Sequence, residues 1–405
     1  MATRRGSMPQ RVLTLGLAAL LLSACGGESL GGGSGGSGDG DAGADTLKVG
    51  LIVAQSGVVS SVGRDMEHGL KLYLDQHGDK LGGKTVQLVT VDEGSDAQSG
   101  AAAVTRAVQQ EQVDVVVGVT IGPTAMAGRD IFDSTHTPAL MGNTGAVPLG
   151  KDLKSEWVWR ASYDNAQPGQ ALGKKLAADK DTGDFYLMAA DYSSGHETLD
   201  GFKQTFPADR IVGERYTPYG KTTDFSPYLE QIRNSGAKNV FCFYTGAEAI
   251  AFTKQFDQFG LSGKVKLYSA GFLTEGTDLA AEGQAALGVL NSTRYNWDTD
   301  NPQNDAFVPA YQKAYGGVPT VYAATMYDVG IILDKAVSQI TGEVSREAVN
   351  EAMSKVGTVN GVRGELSFDD TRTVRQNFYL TEVKETSEGL RNVTVETLPS
   401  PGTDG

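Results

Sequence analysis

Between Leu47 and about Leu398 the chain alternates short apolar runs with segments of helical period. "LKVGLIVA" at 47–54 is an apolar run, and "DMEHGLKLYLDQHG" places Met66, Leu70, Tyr73 and Leu74 on one helical face. "KTVQLVTV" predicts a second strand, and the polar cluster around Asp96 opens an alanine-rich helix to about Gln112. "DVVVGV" is apolar at successive positions, as in a central parallel strand covered on both sides.

The rhythm restarts after residue 165, with helices over 166–178, from Gly195, 224–235 and 247–259. Between them lie the strands "DFYLMAA", "RIVGERY", "NVFCFY" and "KVKLYS". Two α/β runs of about 120 residues exceed one sheet and predict two lobes. The last third has helical patterns at 301–315, 321–340 and 345–355, then the strand-like "GELSF" and "QNFYLTEV". Such a tail completes two existing lobes and starts no third.

The N-terminal pattern differs. Arg4, Arg5 and Arg11 precede an apolar run from Val12 to Leu22, too short to span a bilayer and suited to a secretory signal over residues 1–24. The run ends in Leu22-Ser23-Ala24-Cys25, which resembles a lipobox and implies lipidation of Cys25 and anchorage to a membrane. Residues 26–45 are mostly glycine, serine and aspartate, a coil with a root-mean-square span of roughly 25 Å. Residues 25–46 are thus the lipidated cysteine and its tether, and 399–405 a flexible tail.

Composition narrows the function. The formal charge of −14 becomes more acidic once a signal with three arginines and no acids is removed, which argues against nucleic acid. With Cys25 lipidated, Cys242 in "NVFCFY" has no partner, so it reads as a small buried hydrophobe and no disulfide is expected. The four histidines are scattered, no strand leads into a phosphate loop or dinucleotide fingerprint, and the G-x-S-x-G match within the glycine tether lacks its strand and helix. No catalytic residues, metal or cofactor are expected.

The loops that end the predicted strands are short and rich in small polar groups: 55–57, 120–124, 142–145, 192–195, 244–246 and 270–272. In open parallel sheets ligands bind beyond the carboxyl ends of strands, where helix N-termini offer free N–H groups.

The order and spacing of "GLIVAQSG", "VDEGSDAQSGAAAV", "VDVVVGVTIGPTAMA", "TPALMGNTGA", "WVWRASYDNAQPG", "ADYSSG" and "TDFSPYLEQIRNSGAKNVF" resemble the leucine/isoleucine/valine-binding family of ABC-importer substrate-binding proteins. The resemblance implies an α/β, type I periplasmic-binding-protein fold, with two Rossmann-like parallel-sheet lobes joined by three hinge crossings. The lobes would comprise 47–163 plus 293–371 and 164–292 plus 372–398, with crossings near 161–165, 289–295 and 369–374. It further implies a monomeric extracytoplasmic receptor that hands a small ligand to a permease, or alternatively a ligand-sensing module on the same fold.

For the site, the resemblance implies Val62, Gly122, Pro123, Thr124, Asn143, Thr144 and Gly145 from the first lobe, and Tyr192, Ser193, Tyr244, Thr245, Gly271 and Phe272 from the second. A ligand carboxylate would meet the N–H groups of Thr124 and Gly145 and the Thr124 hydroxyl. The chain departs from the amino-acid binders twice: Gly271 and Phe272 stand where they carry an acid for the ammonium group, with Glu275 further along, and Val62 stands where they carry a ring. Phe272, Tyr192 and Tyr244 then suggest an apolar slot for a small organic or aromatic acid.

Overall fold

The computed structural model describes residues 45–57, 59–398 and 401, so Cys25, the signal and most of the tether lie outside the described residues. Among the described residues two large sheets form, both rich in parallel pairings. The first uses β1 (Thr46–Val53), β2 (Lys80–Leu81), β3 (Lys84–Asp92), β4 (Val115–Gly118), β5 (Ala139–Met141) and β6 (Val158–Arg160), in the order β2-β3-β1-β4-β5-β6. Helices α1 (Ser60–Gln76), α2 (Ala97–Thr105) and α3 (Gly122–Thr135) are its crossovers. Asp96 caps α2 by accepting from the N–H groups of Gln98 and Ser99, the start that the polar cluster predicts.

The second sheet begins with β7 (Phe185–Asp191), β8 (Ile211–Pro218), β9 (Asn239–Phe243), β10 (Lys266–Ser269) and β11 (Leu290–Thr293). Its helices are α4 (Gln167–Ala178), α5 (Ser193–Thr205), α6 (Ser226–Ser235), α7 (Gly246–Gln258) and α8 (Thr277–Glu282). The chain then returns to the first lobe, where α9 (Pro302–Tyr315), α10 (Val321–Val337) and α11 (Arg346–Ser354) pack, α10 lying along α1. A small sheet of β12 (Val359–Gly361), β13 (Gly364–Phe368) and β14 (Val374–Arg375) precedes β15 (Phe378–Thr386) and β16 (Gly389–Leu398), which complete the second sheet antiparallel to β11 and to each other.

Each sheet is covered on both faces. In lobe 1, Leu47, Val49, Leu51 and Val53 of β1 join one core and Ile52 the other; in lobe 2, Val240 and Cys242 of β9 enter one core and Phe241 and Phe243 the other. Cys242 is free and buried. No helix among the described residues is long and apolar enough to cross a membrane; α10 is a core helix with twelve buried positions.

The crossings are stapled from within. Arg363 and Asp328 form a fully buried ion pair at 2.7 Å. The same guanidinium donates to the carbonyls of Ala161 (2.9 Å) and Ser162 (3.3 Å), just after β6, and to Gln376 Oε1 (2.6 Å), between β14 and β15. Asp328 also accepts the Val362 N–H at 2.6 Å, so α10 holds both segments at one point.

Candidate functional site

The carboxyl ends of the lobe 1 strands are tied together through one buried acid. Glu93, just past β3, is fully buried and accepts the N–H groups of Thr120 (2.6 Å) and Ile121 (3.0 Å) beyond β4. Burial raises its pKa. The Thr120 hydroxyl accepts the Ala54 N–H (3.0 Å) and the Thr120 carbonyl accepts the Asn143 amide (2.8 Å), so the loops after β1, β3, β4 and β5 form one platform. Gly122 faces Thr144, and Gly145 faces Tyr163 so closely that a Cβ there would lie 2.9 Å from the ring. Only glycine leaves room for that ring and for the Asn165 side chain, which such a Cβ would meet first.

Rings from both lobes meet above this platform. Tyr163 of the first crossing lies 5.8 Å from Phe272, which also meets Phe243 (5.6 Å) and Tyr322 at the start of α10 (6.4 Å); Tyr192 reaches Phe243 at 6.1 Å. Gly271 sets the turn before Phe272, with φ of +89° and a would-be Cβ 2.9 Å from Thr293, both of which exclude a side chain.

Arg294, the residue after β11, enters this aromatic cluster. It is buried, with its guanidinium 4.4 Å from the Tyr163 ring centre and 5.6 Å from that of Phe272. Its hydrogen bonds are long, 3.5 Å to the Thr325 hydroxyl and 3.4 Å to Asn143 Oδ1, and among the described residues no carboxylate lies within ion-pair distance. Burial lowers its pKa to about 10, so it remains charged at neutral pH, and burial pushes the Tyr163 phenol up to about 12. A buried cation among rings, with spare donors, is suited to a planar anion.

Of the residues the sequence singles out, Gly122, Asn143, Thr144, Gly145, Gly271, Phe272 and Tyr192 surround or support this junction. Thr124 is fully buried at the start of α3, its hydroxyl packed onto Gly100 of α2 and without a hydrogen-bond partner among the described residues. Tyr244 is displaced from the slot: it lies in the lobe 2 core against Phe225 and Phe252, accepting from the Thr217 hydroxyl at 3.3 Å. Strand alternation explains it, since adjacent residues point to opposite faces and Phe243 is the one that reaches the cluster. Pro123, Ser193 and Thr245 are exposed at helix starts, and Val62 packs partly buried on the lobe 1 core.

Glu275 turns toward lobe 1 and accepts the Val321 N–H of α10 at 2.9 Å; burial raises its carboxyl to about 7. Arg294, Tyr163, Phe243 and Tyr322 are the residues that sequence reasoning left out. The one available signal was their place, three of them falling in or beside the predicted crossings or at a strand end.

The family model described as periplasmic binding protein matches residues 46–389. A curated relative, Leu/Ile/Val-binding protein homolog 6 of Brucella melitensis, is 32% identical over 374 residues, covering 89% of this chain and 94% of the relative. Among solved structures, an R. palustris ABC-transporter solute-binding protein in complex with benzoate has a TM-score of 0.79 and 30% identity, covering 88% of this chain and 97% of that one. A Rhodopseudomonas palustris HaA2 counterpart in complex with p-hydroxybenzoic acid has a TM-score of 0.80 and 30% identity, covering 88% and 98%.

Proposed function

The chain belongs to the periplasmic binding protein family, and from that membership we propose that it is the receptor of an ABC importer for a small aromatic carboxylate. The observation that carries this reading is Arg294, a buried cation with no carboxylate within ion-pair distance among the described residues, flanked by Tyr163 and Phe272 where the two lobes meet. The carboxylate meets the guanidinium and the ring lies among Tyr163, Phe272, Phe243 and Tyr322, while Asn143, Thr144 and Gly145 form the floor. An α-amino acid is disfavoured, since Gly271 and Phe272 stand where the amino-acid binders carry an acid. The benzoate and p-hydroxybenzoic acid bound by two similar proteins support the same class.

The lobes in this reading divide near 163, 292 and 371, and the ligand closes them about the crossings. The lipobox-like Leu22-Ser23-Ala24-Cys25 supports lipid anchorage outside the cytoplasm, with the glycine-rich tether letting the receptor reach its permease. A thermal-shift panel of benzoate, hydroxybenzoates, leucine and short dicarboxylates tests the ligand class. Benzoates should stabilise the protein by about 2.7 kcal/mol at a hundred times their dissociation constant. A shift with leucine and none with any benzoate would overturn the reading in favour of a branched-chain amino acid.

A further inference from the structure

Tyr163 carries a polar group that its part as a ring wall leaves unused. The residue lies on the segment from β6 into α4, where the chain passes from the first sheet toward the second, and only 6% of its surface is exposed. The ring is fixed by its neighbours, with the Arg294 guanidinium 4.4 Å from its centre and the Phe272 ring at 5.8 Å. Of its atoms, the one that comes closest to Gly145 is Cζ, which bears the hydroxyl, so the polar end of the ring reaches the floor of the junction. That hydroxyl has no hydrogen-bond partner among the described residues, and burial pushes the phenol up to about 12, so it keeps its proton. On the same floor the Thr144 hydroxyl, 3.6 Å from where a Cβ of Gly122 would lie, is buried and also unpartnered. Arg294 reaches this floor too, through its long bond of 3.4 Å to Asn143 Oδ1.

We propose that the Tyr163 hydroxyl is a second donor to the ligand's carboxylate, which it holds together with Arg294. This rests on the aromatic-acid reading of the site and adds a binding residue to it. The guanidinium lies over the face of the ring and the hydroxyl at its rim, so a carboxylate at the rim on the Arg294 side accepts an N–H from above and an O–H from the ring plane. Two carboxylate oxygens have lone pairs enough for both, and each bond is strengthened by the ligand's charge. Phe243 and Phe272, which face the same junction, have no such group. The two donors stand on different passages of the chain between the sheets, Tyr163 between β6 and α4 and Arg294 between β11 and α9, so a bound carboxylate joins those passages directly.

The test is calorimetry with benzoate and with 4-hydroxybenzoate on the wild type and on Tyr163→Phe, which keeps the ring and its contacts and removes the hydroxyl alone. Both ligands should bind about ten- to a hundredfold more weakly to the variant, and by the same factor, because both carry the carboxylate. The ligand-free Tm should not fall, since the hydroxyl has no partner to lose. With carboxyl-labelled benzoate, the carboxyl-carbon NMR resonance of the bound ligand should differ between the two proteins, which reports the contact itself. Unchanged affinity, or weakened binding with the resonance unmoved, overturns the proposal. So does a loss confined to 4-hydroxybenzoate, which would assign the hydroxyl to the ring substituent, and so does a ligand-free Tm that falls along with the affinity, which would make the hydroxyl structural. If neither benzoate binds the wild type, the aromatic-acid reading has itself failed and the assignment falls with it; binding to the wild type with no loss in the variant sinks the assignment alone.

Discussion

A guanidinium as enclosed as that of Arg294 has given up most of its hydration, and two hydrogen bonds of 3.4 and 3.5 Å return little of it. The neighbouring rings compensate in part, and in the proposed reading the ligand's carboxylate completes the compensation. Arg294→Met keeps the volume and removes the charge. It should weaken benzoate binding by about 2–5 kcal/mol, measured by calorimetry, while leaving the apo protein as stable as wild type or more so. Tyr244→Phe is the matched control: its hydroxyl meets Thr217 inside the core, so affinity should stay unchanged, with a stability loss of about 1 kcal/mol in denaturant titration. An effect of equal size from both variants would place the site elsewhere.

At the level of elements, the C-terminal half of α10 serves lobe 1 while Asp328 in its middle serves the crossings. The Asp328–Arg363 pair is fully buried, and its remaining hydrogen bonds reach two separate chain passages. Asp328→Ala leaves a buried guanidinium unpaired, and should cost about 3–5 kcal/mol in chemical denaturation. The double variant Asp328→Leu with Arg363→Met should recover much of that loss; no recovery would mean that the arginine's carbonyl contacts, not the pair, hold the crossings. Strand registers show the same division of labour. β9 carries Tyr244's neighbour Phe243 to the aromatic junction only because the sheet lies one way up, and a one-residue slip would exchange the two.

For the whole molecule, the proposed reading has the tether and the lobes act in series: one would set where the receptor works, the other what it holds. Changing Cys25 to alanine should move the protein from membranes to the soluble extracytoplasmic fraction, followed by immunoblot, without altering benzoate affinity. Retention in the membrane fraction would show that Cys25 is no anchor.

The pattern of apolar residues determined much of this architecture. Strands such as β1, β4, β7 and β9 and helices such as α1 and α10 are written in local periodicity, because burying one face or two leaves its mark at fixed spacing. The platform loops were legible for the same reason, since small polar residues at strand ends mark a strand-to-helix turn. Short strands such as β5, β6 and β14 were not, being too brief to carry a period. The tertiary structure alone decided which way each loop residue faces and which distant ones meet. Tyr244 looks like a ligand group in the text and packs in the lobe 2 core; Arg294 looks like an ordinary solvated arginine and is buried. Burial of a charge depends on the approach of two lobes that lie far apart along the chain, and no local spacing records that approach.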